Sequence, residues 1–223
     1  IVLEIGPGLG SLTRMLVYAA KKVVAIEKDD VLAANLADLV KAENLQVVNG
    51  DILQFDFISL PEDYKLVANI PYYLTSHLIR VLSETSNPPK IASLLVQKEV
   101  AERLTAKPGN MSILAVTAQF YWQVSLGMIV KAHLFEPPPK VDSQIVKLVR
   151  RSQPIEVEGK QFFRLVRAGF SGKRKTLVNN LSASYHIDKN QVAKAIESAG
   201  LNPGVRAQTL SLDDWSRLSR LIN

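Results

Sequence analysis

Five residues near the start, Gly6-Pro7-Gly8-Leu9-Gly10, restrict the fold of this chain more than any other segment. They follow an apolar stretch, Ile1-Val2-Leu3-Glu4-Ile5, that reads as a buried strand, and they precede a helical segment from Ser11 to Ala20. Strand, glycine turn and helix form the front of a nucleotide-binding βαβ unit. Glycine lets backbone approach a ligand because no Cβ stands in the way. The spacing is Gly-x-Gly-x-Gly rather than the Gly-x-Gly-x-x-Gly of dinucleotide enzymes, with Pro7 in the first gap. That variant favours S-adenosylmethionine, which has no pyrophosphate for a helix N-terminus to hold. A tight turn without a ligand is the alternative.

Two acids fall where such a cofactor needs them. Val23-Val24-Ala25-Ile26 reads as the second strand, with Glu27 at its end, about 20 residues after the glycines, where a carboxylate accepts ribose hydroxyls. Leu45-Gln46-Val47-Val48 reads as the third strand, closed by Asn49-Gly50-Asp51. Asp51 is then placed to accept the adenine amino group. Either acid could instead cap a helix, since Asp29 and Asp30 show that acids gather at these turns.

A fourth apolar run, Leu66-Val67-Ala68, leads into Asn69-Ile70-Pro71-Tyr72. Pro71 ends the strand and stiffens the turn. The Asn69 side-chain oxygen and a neighbouring backbone carbonyl can accept hydrogen bonds from a planar exocyclic amine, and Tyr72 can stack on the base that carries it. An Asn-Pro turn is also often only a turn.

Composition bounds the remaining possibilities. With 223 residues, 47% of them apolar, the chain has room for one full α/β domain and a smaller partner. No stretch nears the ~18 apolar residues of a membrane span, and no secretory signal is present. There is no cysteine, and His77, His133 and His186 are scattered, so no metal site is expected. Between Arg150 and Leu181 eight bases face two acids, which accounts for the whole net charge of +6. Such a block is the footprint of phosphate binding, unless it is merely a solvated helix face.

Organisation follows from the pattern of elements. Ile91 to Val96 reads as a fifth strand, Gln97 to Ala106 as a helix and Pro108-Gly109 as a break. Tyr121 to Val130 and Val141 to Val149 read as the last two strands, joined through Pro137-Pro138-Pro139. The alternation implies an open, mostly parallel sheet. Beyond Gln153-Pro154 the pattern turns helical. Asp188 with Gln191 reads as a capping box and Gly200 as a C-cap; Ser211 with Asp214 starts a final helix whose Trp215, Leu218, Leu221 and Ile222 share a packing face.

Further segments make the pattern specific. They are Leu3-Glu4-Ile5-Gly6-Pro7-Gly8-Leu9-Gly10 with Leu12-Thr13, Glu27, Gly50-Asp51, Asn69-Ile70-Pro71-Tyr72, and Gln97-Lys98-Glu99-Val100-Ala101-Glu102-Arg103-Leu104. Phe135-Glu136-Pro137-Pro138-Pro139-Lys140-Val141-Asp142-Ser143, Phe170, Arg174-Lys175-Thr176-Leu177, Asn179-Asn180-Leu181 and Arg206-Ala207-Gln208-Thr209-Leu210-Ser211 follow in order. Taken together, the chain resembles the KsgA/Erm family of ribosomal RNA adenine N6-methyltransferases, and within it the KsgA-type dimethyltransferases of small-subunit (16S) RNA. The resemblance implies an α/β fold. A Rossmann-like class I S-adenosylmethionine-dependent methyltransferase sheet would span residues 1–152, and a small all-helical, rRNA-binding C-terminal domain residues 153–223.

It also implies roles. Catalysis falls to Asn69, Pro71, Tyr72 and Phe135, with the Phe135 ring opposite Tyr72 and a flipped adenine between them; a hinge aromatic ahead of stiff prolines is the other reading. Cofactor contacts fall to Glu4, Gly6, Gly8, Gly10, Glu27, Asp51, Ile52 and Asn69, and RNA contacts to Arg167, Lys173, Arg174 and Lys175. The implied partner is 16S rRNA in a pre-ribosomal 30S particle, met by a cytoplasmic monomer without metal or membrane. Two departures stand out. Members carry a basic N-terminal segment with a Gln-x-Phe-Leu motif that closes over the cofactor, whereas this chain starts inside its first strand, so truncation ahead of Ile1 is expected. The usual Tyr-Gly-x-Leu-Ser is here Met111-Ser112-Ile113-Leu114-Ala115, a change expected to bear on RNA contacts rather than chemistry. An Erm-type large-subunit enzyme, a DNA adenine N6-methyltransferase and a non-catalytic assembly or transcription factor remain as alternatives.

Overall fold

A computed structural model describes residues 1–222. Seven strands form one sheet: β1 (Val2–Ile5), β2 (Val23–Glu27), β3 (Leu45–Asn49), β4 (Lys65–Asn69), β5 (Ile91–Gln97), β6 (Trp122–Val130) and β7 (Ser143–Arg150). Their order is β3-β2-β1-β4-β5-β7-β6. The first five run parallel, and β7 is antiparallel to both β5 and β6. β1 and β2 are buried throughout, as strands covered on both faces must be, which explains why they read as unbroken apolar runs around Glu4 and Glu27.

The strand order sets the place of a ligand. From β1 the chain winds outward through β2 and β3, then returns to β4 on the other side of β1. An open sheet binds ligands beyond its carboxyl ends at such a reversal. Helices α1 (Ser11–Ala19), α2 (Asp30–Val40) and α3 (Thr75–Glu84) follow β1, β2 and β4. Gly10, at φ +80°, joins the turn to α1; a Cβ there would lie 2.9 Å from both Leu36 Cδ1 and Val40 Cγ2 of α2. Only glycine serves both demands.

Contacts divide the chain into two compact units: Ile1–Ala101 with Trp122–Arg150, and Glu102–Tyr121 with the chain from Arg151 onward. The helical unit therefore includes α5 (Ile113–Tyr121), which a single cut after residue 152 leaves out. Between it and β5 lies α4 (Lys98–Leu104). The other helices are α6 (Gly159–Gly169), α7 (Leu177–Tyr185), α8 (Lys189–Ser198) and α9 (Leu212–Ser219). Phe120, Phe162, Leu165, Leu181, Ile196 and Trp215 are among the buried side chains of their common core. A Cβ on Gly169 would run into the Trp215 ring and sit 3.0 Å from Leu177 Cδ1, so Gly169→Ala would break this packing.

The expected caps are present with two differences. Ser211 and Asp214 form the reciprocal box of α9, and Gly200 closes α8 at φ +78°. Asp188 caps α8 by accepting the Asn190 N–H at 2.8 Å, and Gln191 makes no return bond. Trp215, Leu218 and Ile222 are buried, but Leu221 is exposed, because α9 ends at Ser219 and the next residues turn away from the helical period. Met111 is buried in the helical core, so the departure at that motif falls on a packing position.

Candidate active site

Backbone bonds bring three strand ends together. The Gly6 N–H donates to Ile26 O and the Gly50 N–H to Glu27 O, each at 2.9 Å, which sets the glycine turn, the end of β2 and the end of β3 side by side. Gly6 and Gly8 have φ of +64° and +56°, and a Cβ on either would meet no protein atom within 4 Å. Their surroundings are open, and what demands glycine there is the backbone conformation.

Glu27 is buried, and both of its oxygens accept backbone N–H groups. Its Oε2 accepts the Gly8 N–H at 3.1 Å, and its Oε1 accepts Lys28 N–H at 2.8 Å and Asp29 N–H at 3.0 Å. Each oxygen of a carboxylate has two lone-pair sites, so Oε2 keeps one for a ligand hydroxyl. Asp51 plays two parts. Its Oδ1 caps the 3₁₀ turn Ile52–Gln54 by accepting Leu53 N–H at 3.0 Å, and its Oδ2 holds Lys28 Nζ at 2.8 Å. The Lys28 bond, then the Leu53 N–H, keep this carboxyl below its ordinary range. Ile52 is buried beside it.

Glu4 lies beneath the turn, 1% exposed. Burial pushes its pKa up to about 7, against the opposing pull of the neighbouring Thr13 hydroxyl. Among the described residues neither Glu4 Oε2 nor Thr13 Oγ1 has a partner of hydrogen-bonding geometry.

Asn69 ends β4 and is exposed. The residue before it, Ala68, pairs with Ile5, which leads directly into the glycine turn. Ile70 is buried, and the Pro71 carbonyl accepts Leu74 N–H at 2.9 Å. The Ile70 carbonyl is thereby left as the acceptor without a partner among the described bonds. Tyr72 is half-buried, and its hydroxyl meets Ser143 Oγ at 2.8 Å. Phe135 is half-buried in the loop between β6 and β7, just after the short turn Ala132–Leu134. That loop is closed by Asp142, whose carboxylate accepts Ala132 N–H at 3.0 Å and Lys131 Nζ–H at 2.9 Å. In the sequence Ser143 and Asp142 stand out only as parts of a motif; the Ser143 partner lies 71 residues away, those of the Asp142 carboxylate lie across a loop, and periodicity carries no signal for either.

In the helical unit, Lys173, Arg174 and Lys175 are exposed on the loop between α6 and α7, and Arg167 is exposed on α6. No acid among the described residues pairs with any of the four. Buried Asn180 shapes the loop, donating from Nδ2 to Gly169 O at 2.6 Å and to Gly172 O at 3.1 Å. Arg164 lies over the Tyr185 ring, 4.7 Å from its centre. Among the described residues no group of three or more His, Asp or Glu is placed to hold a metal, and no helix is long and apolar enough to cross a membrane.

A reversed seven-stranded sheet with glycines after its first strand and acids after its second and third is that of a class I, Rossmann-like methyltransferase. Residues 1–223 match the family described as ribosomal RNA adenine dimethylase. The chain belongs to that family. A ribosomal RNA small subunit methyltransferase A from Dehalococcoides mccartyi strain 195 is 40% identical over 223 residues, covering 97% of this chain and 77% of the relative. One from Enterococcus faecalis V583 is 39% identical over 236 residues, with 99% and 80% covered. Among solved structures, a dimethyladenosine transferase from Plasmodium falciparum superposes with a TM-score of 0.81 at 31% identity, covering 97% of this chain and 87% of that one. The 23S rRNA methyltransferase ErmE gives 0.78 at 32%, covering 99% and 90%.

Proposed function

We propose that this chain transfers methyl groups from S-adenosylmethionine to N6 of adenines in small-subunit (16S) rRNA, dimethylating two adjacent adenosines near the 3′ end within a pre-ribosomal 30S particle. It works in the cytoplasm as a monomer without a metal. Residues 1–152 hold the cofactor and residues 153–223 bind the rRNA. One observation carries this reading: the Asn69 side chain and the Ile70 carbonyl, two acceptors without partners among the described residues, stand one strand away from a glycine turn open to a ligand. The small-subunit substrate is supported by the relatives at 39–40% identity.

The residues suit that cofactor. Open space before Gly6 and Gly8 admits it, Glu27 retains an acceptor for its ribose, and Asp51, now paired with Lys28, offers an acceptor for its adenine amine. When bound, S-adenosylmethionine supplies an electrophilic sulfonium methyl group. The nitrogen it meets is a poor nucleophile, because the N6 lone pair of adenine is delocalised into the ring. Asn69 Oδ1 and the Ile70 carbonyl accept the two N6 hydrogens and draw the nitrogen towards tetrahedral geometry, which frees that pair. Tyr72, with Phe135, holds the unstacked base by its faces. Positioning then does most of the work. No strong base is needed, since the alkylated nitrogen is acidic and loses its proton to water.

Methyl transfer from labelled S-adenosylmethionine to small subunits lacking adenine dimethylation, followed by nucleoside analysis, tests the proposal. Recovery of N6,N6-dimethyladenosine is expected. Cofactor binding without transfer to these particles, but with transfer to large-subunit RNA, would replace it with the ErmE-like reading that the 32% identity keeps in view.

A further inference from the structure

Ser143 has a fully buried hydroxyl, yet its partner is the half-buried Tyr72 of the amine-recognition turn, 71 residues away. The backbone of Tyr72 is already fixed. Thr75 Oγ1 donates to Tyr72 O at 3.2 Å, and the preceding carbonyl, that of Pro71, accepts Leu74 N–H. What these bonds leave undetermined is the direction of the ring axis, which still turns about the first side-chain torsion. Its far end is the hydroxyl, and that is the atom Ser143 holds at 2.8 Å.

Ser143 is itself immobile. It is the first residue of β7, in register with Gln97 of β5 and Val130 of β6, so strands on both sides carry its Cα. The residue before it is tied down as well: Asp142 O accepts Lys98 N–H at 3.0 Å, while its carboxylate closes the loop that bears Phe135. Two consecutive residues thus hold the Tyr72 hydroxyl and the start of the loop that bears Phe135. A hydroxyl serving packing alone would be served by any nearby carbonyl, and a phenylalanine would fill the space of Tyr72 without needing a buried partner.

We infer that Ser143 is a positioning residue: through the Tyr72 hydroxyl it fixes where the axis of the stacking ring points, and so where the adenine whose N6 must face Asn69 can sit. The inference rests on the proposed N6-methyltransferase reading. A small swing of that axis displaces N6, on the far edge of the stacked base, by about 1 Å, and a misplacement of that size costs up to ~10²-fold in rate. The second methyl transfer is the more sensitive, because the N6-methyl group must be accommodated while the remaining hydrogen stays on its acceptor.

The test compares wild type, Ser143→Ala, Tyr72→Phe and the double variant on small ribosomal subunits lacking adenine dimethylation, with S-adenosylmethionine saturating. Single-turnover transfer by Ser143→Ala is expected to fall about tenfold, with N6-methyladenosine accumulating over N6,N6-dimethyladenosine. Its cofactor Kd and unfolding midpoint should stay near wild type, and the double variant should be no slower than Tyr72→Phe, since both changes remove one bond. Wild-type rates and product ratios in Ser143→Ala would overturn the inference, as would a parallel loss of cofactor affinity and stability, which marks a merely structural serine. Failure of the wild-type chain to methylate adenine would instead overturn the functional reading, and this inference with it.

Discussion

Glu27 Oε2 accepts the Gly8 N–H at 3.1 Å, so the acid that ends the second strand also holds the glycine turn that follows the first. Glu27→Gln keeps the shape of the side chain but places an NH2 group against one of the three N–H donors it serves. We expect a stability loss of about 1–2 kcal/mol, read by urea unfolding, together with at least tenfold weaker S-adenosylmethionine binding by calorimetry. Weaker binding with an unchanged unfolding midpoint would mean that Glu27 serves the ligand and does not hold the turn.

Asn69 presents the opposite case. It is exposed and makes no described hydrogen bond, so the folded chain gains little from its amide. Asn69→Ala should leave stability within about 0.5 kcal/mol and cofactor affinity within about twofold of wild type. Turnover should fall by about 10² to 10³, the usual cost of deleting one group that stabilises the reacting geometry. Comparable losses in affinity and turnover would remove Asn69 from the amine site.

Glu4 gives the protein a pH dependence of unusual sign. Burial raises its pKa from 4.5 to about 7, so between those values the folded chain keeps a proton that the unfolded chain releases. Stability from this group therefore falls as pH rises from about 4.5 to 7 and levels off above, by at most ~3 kcal/mol. Glu4→Gln removes the ionisation but keeps the volume. Its stability relative to wild type should improve between pH 5 and pH 7 in urea titrations and level off by pH 8; a gap that does not change with pH would show that Glu4 is solvated when charged.

Much of this was legible in the sequence because it rests on local rules. Glycines at positive φ, acids at strand ends and caps such as Ser211–Asp214 are short-range patterns with few structural solutions. The run from Met111 to Val124 was harder. It contains no glycine or proline, yet α5 ends at Tyr121 and β6 begins at Trp122, and an apolar run of this kind does not mark the change of period. Membership of a unit is also a property of contacts, which is why α5 could not be assigned to the helical unit from order along the chain. Lys28 was invisible for another reason: its partner Asp51 is 23 residues away, and only the pairing of β2 with β3 brings the two together.

The loop of Lys173, Arg174 and Lys175 separates charge from shape. Its charges have no acidic partners among the described residues, whereas its path is set by Asn180 binding the Gly169 and Gly172 carbonyls. Replacing all three bases with glutamine should weaken binding to small-subunit rRNA and flatten the dependence of log K on log salt by about 2 to 3, close to 0.7–0.9 for each phosphate no longer neutralised. Stability should hardly change, because the side chains are exposed. Asn180→Ala should do the reverse. It strands the buried Gly169 carbonyl and releases that of Gly172, which keeps only the Lys175 N–H, costs about 1–3 kcal/mol on unfolding, and lowers rRNA affinity while the salt slope stays near wild type, since every charge remains. A triple variant whose salt slope matches wild type would place the phosphate-binding role on other bases, with Arg164 and Arg167 of α6 the next to replace.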